Sequence, residues 1–223
     1  MRTTYSQIEK YWSANVCNGG NKTFPFWFFK GKRILEVGCG SGNDAKEFVK
    51  VGTRYTGIDL TSEAVCATKY KVGNRGTVIK MNAEYLDFPD NHFDLVYSFG
   101  VLHHTLDISQ AVKEIYRVLK PDGRLFLMLY NKFSYRYLVE IMTLRRILWW
   151  CHHPKYNKLR KSIPHPTNAE WLSMNTDNLG CPLSRVYTKR SMEKLLREFE
   201  VTKTWTTNWG WFRMICGRKE RVR

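Results

Sequence analysis

The run Ile34-Leu-Glu-Val-Gly-Cys-Gly-Ser-Gly-Asn-Asp44 sets three glycines, Gly38, Gly40 and Gly42, directly behind a short apolar stretch. Ile34, Leu35 and Val37 have the character of a buried parallel strand, and glycines at this spacing let the backbone turn tightly and approach a ligand closely. Such a turn serves a nucleotide-like cofactor at the start of a helix. Two phosphate motifs do not fit: Asn43 stands where G-x-G-x-x-G needs its third glycine, and no Gly-Lys-Ser/Thr follows. Asp59 ends a second short run, Tyr55-Thr-Gly-Ile-Asp59, 21 residues beyond Gly38. In a doubly wound fold an acid at that spacing accepts the ribose hydroxyls of a cofactor.

Residues able to move a proton come later in the chain. His103 and His104 follow the fourth predicted strand, and imidazole titrates near neutrality. Tyr130, at the end of the fifth, and Tyr187, in Arg185-Val-Tyr-Thr188, are candidates to donate to or polarise a substrate. Each has a plainer alternative, a histidine packed beside the cofactor or a tyrosine forming pocket wall. His152, His153 and His165, with Cys151 and Cys181, show neither H-x-x-x-H nor paired-thiolate spacing, so no metal site is expected.

The elements that must hold these residues alternate. Strands are predicted near 33–37, 54–58, 77–81, 93–98 and 124–130, and helices near 42–51, 62–71 and 108–119. That alternation implies a parallel sheet covered on both faces, with Gly38, Asp59, Asn82, Ser98 and Tyr130 at the carboxyl ends of its strands, where such sheets bind ligands. Residues 1–30 form an aromatic cap: Tyr5, Ile8, Tyr11 and Trp12 recur at helical spacing, and Phe24-Pro-Phe-Trp-Phe-Phe29 follows. After Tyr130 come an insertion, a helix near 189–198 and two strands near 199–207 and 211–217, joined through Asn208-Trp-Gly210, a link compatible with a hairpin. One domain spanning 1–223 is expected: cap 1–30, cofactor core 31–130, insertion 131–185, closing helix and hairpin 186–223.

From Gly31 to Tyr130 the order of motifs carries more than the turn alone. Glu36 to Gly42, Asp59, Met81-Asn-Ala-Glu84, Leu86-Asp-Phe-Pro89, Phe93-Asp-Leu-Val-Tyr-Ser98, Val101-Leu-His-His104 and Tyr116-Arg-Val-Leu-Lys-Pro-Asp-Gly123 resemble the consecutive motifs of class I S-adenosylmethionine (SAM) dependent methyltransferases. The branch they most resemble contains ubiquinone, sterol and natural-product methyltransferases. The resemblance implies a Rossmann-like α/β fold: a seven-stranded, mostly parallel sheet of order 3-2-1-4-5-7-6 with its last strand antiparallel, helices on both faces and a helical lid insertion. It implies SAM as cofactor and S-adenosylhomocysteine as product. Carried over residue by residue, it places Glu36, Gly38, Cys39 and Gly40 beside the sulfonium and methionine part, with Gly42 in the same turn and Asp44 as a further contact. Asp59 then chelates the ribose, and Leu60 flanks the adenine. Asn82, Ala83 and Glu84 meet the adenine edge, with Glu84 accepting from its amine, and Ser98 and Phe99 close the loop beneath the methionine moiety. The acceptor is expected to be a small molecule or lipid-like; RNA, protein, or SAM binding without turnover are the alternatives.

Composition narrows the setting. The chain has 223 residues and a formal net charge of +16, with 43% hydrophobic content, enough for a sizeable core. Its six cysteines include no C-x-x-C pair, and Cys39 lies within the cofactor turn, so a reducing, cytoplasmic location is expected. No signal peptide or membrane-spanning stretch is read. Residues 1–120 carry 16 Lys/Arg against 12 Asp/Glu, whereas residues 121–223 carry 20 against 8. Between Asn131 and His165, Lys132, Arg136, Arg145, Arg146, Lys155, Lys158, Arg160 and Lys161 face one acid, Glu140. Such a surface attracts anionic partners or is simply solvated. Tyr135 to Trp150 is apolar around most of a helical circumference, which suits a lid packed on the pocket mouth or a peripheral helix on anionic membrane. Nucleic acid is less well supported, since no RNP, KH, zinc-finger or helix-turn-helix pattern is legible.

Overall fold

The computed structural model describes residues 3–15, 20–177, 179–206 and 211–218. Seven strands, β1 (Arg33–Val37), β2 (Arg54–Asp59), β3 (Gly76–Lys80), β4 (Phe93–Phe99), β5 (Leu119–Tyr130), β6 (Phe199–Thr206) and β7 (Trp211–Arg218), form one sheet in the order β3-β2-β1-β4-β5-β7-β6. The first five are parallel, and β7 runs antiparallel between β5 and β6. The expected order and antiparallel close are both present; the link at 208–210 lies outside the described residues. β5 begins at Leu119, earlier than the expected 124, because fully buried Leu119 pairs with Phe93 before the register shifts beyond it.

Alternation along the strands sorts side chains onto two faces. Leu35, Val37, Ile58, Val96, Leu125 and Leu127 pack against α4 (Ile108–Val118) and the later helix Lys189–Leu195. Ile34, Tyr55, Val78, Leu95, Tyr97 and Phe126 pack on the other face against α2 (Asn43–Lys50) and α3 (Ser62–Val72). Phe24 and Phe26 join that second face, edge-on to Tyr97 and Phe48, so these two members of the aromatic run after the N-terminal helix α1 (Tyr5–Ala14) are core, whereas Trp27 and Phe28 face outward. Helix starts are set by side-chain caps: Thr4 and Gln7 close a capping box on α1, Thr61 accepts from the Ala64 N–H, and Asp107 accepts from the Gln110 N–H. Between β3 and β4 the chain runs through turns at 81–92 without a helix.

The segment 131–185 builds a small core of its own. A π-helical stretch, Arg136–Leu144, runs into α5 (Arg145–Trp150), followed by α6 (Asn157–Ser162) and α7 (Asn168–Thr176). Ile141, Trp149, Tyr156, Trp171 and Met174 pack together there. The widened turn is marked by the Arg145 N–H reaching Glu140 O, five residues back. A buried or interfacial helix was expected over 135–150; the helical run is continuous from Arg136 to Trp150, with Ile141 and Trp149 covered and Tyr135, Leu138, Leu144, Ile147, Leu148 and Trp150 facing outward. The last helix, α8 (Lys189–Leu195), is started by a Thr188/Ser191 box and ends before the expected 198.

Candidate active site

At the carboxyl ends of β1, β2, β4 and β5 lies a cavity of about 270 Å³, bounded by α1 on one side and by Arg136 and Asp177 on the other. The glycine turn is its floor. Gly38, Gly40 and Gly42 have φ of +78°, +54° and +77°, and a Cβ on Gly38 would stand 2.3 Å from Val101 Cγ2. The turn is bonded to β2: Gly38 and Cys39 N–H both donate to Ile58 O, at 2.8 and 3.0 Å, and Gly40 N–H donates to Asp59 Oδ2 at 3.0 Å. Asp59 Oδ1 accepts from the Thr61 N–H and hydroxyl, each at 3.0 Å. A carboxylate offers about four lone-pair directions, so three of those at Asp59 are already engaged in bracing the turn.

Acids dominate this floor. Glu36 is buried and accepts the Tyr55 hydroxyl at 2.5 Å. Burial pushes its carboxyl well above the usual range, and the charges of Asp44 and Asp59 push the same way. Burial also raises Asp59, against its backbone hydrogen bonds. Buried Asp44 accepts the Asn21 N–H at 2.7 Å and the Tyr97 hydroxyl at 2.6 Å. Among the described residues, neither Glu36 nor Asp59 belongs to an ion pair. Three carboxyls converging on one pocket favour a cationic ligand and disfavour a phosphate.

The third wall joins Leu60, Met81, Asn82, Ala83 and Glu84 to α1. The Tyr5 hydroxyl donates to Glu84 Oε2, and the Asp107 N–H donates to Glu84 Oε1 at 2.9 Å. Burial, then the Glu84 bond, pushes Tyr5 up to about 12. Both oxygens of Glu84 thus have donors from the chain itself, and this carboxylate tethers the N-terminal helix over the pocket. Asn82 Oδ1 accepts the Glu84 N–H at 3.0 Å.

The fourth wall holds His104, Tyr130, Asp177 and Arg136. The Tyr130 hydroxyl donates to Asp177 Oδ1 at 2.5 Å, and His104 Nε2 lies 3.3 Å from Asp177 Oδ2. His104 Nδ1 is 2.7 Å from Leu183 O, to which it donates, and the ring packs edge-on against Trp12. Burial alone would lower His104, but Asp177 and Cys181 outweigh it and hold the imidazole protonated well above its ordinary range. Burial would raise Asp177, yet His104 and Tyr130 bring it below the usual carboxylate range. The pair is therefore an imidazolium beside a carboxylate. His104, Asp177 and Cys181 also bring one ligand atom each within 4.8 Å of the others. His104 Nδ1 and the Cys181 thiol both spend their hydrogens on Leu183 O, so this trio already forms a bonded set.

Most of the anticipated residues reach the cavity: Glu36, Gly38, Cys39, Gly40, Asp44, Asp59, Leu60, Asn82, Ala83, Glu84, Phe99, His104 and Tyr130 line it. Four do not. Gly42 caps α2, Ser98 is fully buried, and Tyr187 is buried with its backbone bridged beside Asn131, its N–H donating to Tyr130 O at 2.8 Å. His103 is fully buried against the Tyr130 ring, its basicity depressed by burial and then by His104. Tyr5, Ile8, Trp12, Arg136 and Asp177 were not anticipated. The helical spacing of Tyr5, Ile8 and Trp12 marked one face of α1, whereas nothing local distinguishes Asp177.

A doubly wound sheet in this order, with a glycine turn and an acid-lined pocket, defines an enzyme of the class that binds a positively charged nucleoside cofactor. The model of a family described as a methyltransferase domain matches residues 35–127. The ubiquinone/menaquinone biosynthesis C-methyltransferase of Haemophilus ducreyi is 31% identical over 67% of the chain and 68% of its own length. A sterol 24-C-methyltransferase of Aspergillus fumigatus is 34% identical over 53% of the chain and 33% of its own. Further curated relatives are matched over 33% to 54% of their length. A SAM-dependent methyltransferase structure from Methanosarcina mazei superposes with a TM-score of 0.63 at 24% identity, covering 90% of the chain and all of that protein. The chain belongs to the class I SAM-dependent methyltransferase family, and its cofactor is SAM. The pocket fits that cofactor: Glu36 and Asp59, which among the described residues belong to no ion pair, stand beside a turn whose Gly38 and Gly40 carry no Cβ, next to an apolar slot at Leu60, Met81 and Ala83.

Proposed function

We propose that the chain moves a methyl group from SAM to an oxygen, nitrogen or carbon nucleophile of a small, lipid-like acceptor, with residues 131–185 as lid and substrate wall. The observation that carries this reading is the single cavity in which the acid-lined turn and the His104–Asp177–Tyr130–Arg136 wall face one another. SAM supplies a methyl group already activated by a positive sulfur, so the protein's task is to align the acceptor and exclude water. Ile8, Trp12, Val101 and Met128 give the acceptor space an apolar lining, in keeping with the ubiquinone, menaquinone and sterol methyltransferases among the relatives.

The charge state of the wall supports a division of roles. His104 already holds its proton at neutral pH, so it is a poor general base there. Asp177 is the group able to accept a hydrogen bond from the nucleophile's O–H or N–H, with His104 and Tyr130 fixing the carboxylate. Base catalysis by His104 would make kcat/KM climb with pH toward about 10; a profile flat from pH 7 to 9 supports the orienting role.

An anionic membrane surface suits the outer side of this lid. Phe133 is 67% exposed, Ile147 52% and Trp150 77%, and Leu144 and Leu148 extend the same outward side. Lys155, Lys158 and Lys161 lie exposed close by in sequence. Indole and aliphatic side chains beside lysines seat a helix at headgroup level. Arg145 points inward to Glu140 and Asn175 O, and Arg146 stacks on Trp171, so those two arginines serve the lid's own core.

Incubating the purified chain with labelled SAM and whole-cell fractions tests the acceptor. Label in the lipid or small-molecule fraction supports the reading, whereas label in RNA or polypeptide overturns it. For the membrane, co-sedimentation with phosphatidylglycerol vesicles is expected to weaken with salt and in the Ile147→Asp, Trp150→Asp double variant; binding that ignores both removes that contact.

A further inference from the structure

On the opposite edge of the sheet, at the amino ends of the strands, three arginines stand side by side. Arg33 of β1 is the register partner of Arg54 of β2. Tyr55 pairs with Gly76, which places Arg75, at the entry to β3, beside Arg54. They share a face with Leu35 and Val37, with Thr56 and Ile58, and with Thr77 and Ile79, the face that α4 covers only farther along the sheet. The connection from β3 to β4 contains no helix, so this corner stays open. It forms a groove of about 340 Å³ lined by the three arginines, His92, Asn74, Thr56 and Thr77.

The electrostatics of this groove are unrelieved. No acid lines it, and among the described residues none of the three guanidinium groups forms an ion pair or side-chain hydrogen bond. Surface cations elsewhere do pair: Arg117 with Glu114 and Asp90, Lys80 with Glu9, Lys189 with Glu193. Asp94, which accepts the Arg33 backbone N–H at 2.7 Å, is committed to Lys120 Nζ at 2.6 Å. His92 is lowered by burial and then by Arg33 and Lys120, so the groove's own field is felt there. Like charges directly opposite across a strand pair are destabilising. Adjacent strands lie roughly 4.8 Å apart, a separation at which two guanidinium forks can bracket one tetrahedral oxyanion.

We propose that this groove binds a phosphate group, with Arg33, Arg54 and Arg75 as the clamp and the Thr56 and Thr77 hydroxyls on its floor. The site is separate from the cofactor cavity, because β1 and β2 run between them, five and six residues long; at about 3.3 Å per residue the two lie roughly 16 Å apart. The phosphate comes either from a soluble ester or from a lipid headgroup, and the experiment separates the two sources.

Titration calorimetry of the full chain with inorganic pyrophosphate and with a nucleoside diphosphate probes the soluble source; phosphatidic acid vesicles, in the Ile147→Asp, Trp150→Asp background, probe the lipid one. Binding to either is expected to weaken at least tenfold in Arg54→Glu and in the Arg33→Gln, Arg54→Gln, Arg75→Gln triple variant. SAM affinity is expected to stay within twofold, which shows that the variants fold. Absence of binding to all probes overturns the proposal. So does undiminished binding in the triple variant, or an equal loss in Lys158→Glu, Lys161→Glu, which would reveal a net-charge effect.

Discussion

Replacing Gly38 by alanine tests whether the close approach of the turn to Val101 shapes the cofactor pocket. Two costs are separable. The first is backbone strain: at φ +78° an L side chain costs about 1–2 kcal/mol. The second is steric, since the new Cβ would lie 2.3, 2.5 and 2.9 Å from Val101 Cγ2, Cγ1 and Cβ, and overpacking of that kind costs about 1–3 kcal/mol. Gly31 calibrates the strain alone, because it has φ +74° and nothing within 4 Å of a Cβ. Gly42 supplies the second control: φ is +77° and a Cβ would meet the Thr68 Cα at 2.9 Å, but the residue does not line the cavity. Urea unfolding is therefore expected to show Gly31→Ala as the mildest variant, with Gly38→Ala and Gly42→Ala each roughly 1–3 kcal/mol worse. SAM titration separates the last two: Gly38→Ala raises Kd at least tenfold, about 1.4 kcal/mol, while Gly42→Ala leaves it within about threefold. Equal stability for Gly38→Ala and Gly31→Ala, with SAM affinity unchanged, would refute the reasoning, because it would mean that Val101 and the turn separate freely.

Three further outcomes follow from the ionisable groups. Folding raises His104 to about 10, so its stabilising contribution is full below about pH 6.5 and disappears as pH rises through about 10. Asp177→Asn is accordingly expected to cost about 3 kcal/mol at pH 6 and much less above pH 10; a pH-independent gap in urea unfolding contradicts the ion pair. Glu36 is raised by burial and by its acidic neighbours, so it carries a proton over part of the acidic range, and binding a cationic cofactor should release it. Calorimetry in buffers of different ionisation enthalpy should register proton release that is smaller in Glu36→Gln, with SAM affinity rising more steeply with pH in the native chain than in the variant, Asp59 supplying the remainder. Tyr5→Phe removes one donor from the Glu84 carboxylate, at a cost of about 1–3 kcal/mol; proteolysis within α1 should accelerate, and protection equal to the native chain would show that Tyr5 does not tether the helix.

That the residues expected to meet the cofactor would line one cavity was legible because their spacing is local. Gly38 and Gly40 fall within three residues of one turn, Asp59 ends the adjacent strand, and Asn82 to Glu84 lie just past the end of the next. Strand order turns those short motifs into neighbours without any further information. What spacing did not reveal is how far the acids are already committed: Asp59 braces Gly40 and Thr61, and Glu84 holds Tyr5 and the Asp107 backbone. Hydrogen-bond donors from positions as distant as residue 5 leave no periodic trace. His103 and His104 looked equivalent as a dipeptide, yet one is sealed behind Tyr130 and the other faces the cavity. Asp177, 73 residues beyond His104, follows a helix of the insertion whose path depends on a separate core around Trp171.

That separate core has a mechanical consequence. Asp177 and Arg136 reach the cavity from the same segment that turns Leu144, Ile147 and Trp150 outward, and the two sides are tied by Arg145, which binds Glu140 on one side and Asn175 O on the other. Arg136 adds a second tie, donating to Thr176 O at 2.8 Å, one residue before Asp177. A shift of the π-helical stretch therefore moves the carboxylate that faces His104. Arg145→Met removes the link while keeping the aliphatic stem, and the three guanidinium bonds to Glu140 and Asn175 O, at partly buried sites, are worth about 3 kcal/mol together. If the segment is the acceptor's wall, that variant should lower kcat and raise KM together while SAM affinity holds, because Asp177 loses its fixed position but the glycine turn does not. A change in SAM affinity with unaltered acceptor kinetics would place the role of Arg145 in the cofactor half and separate the lid from the chemistry.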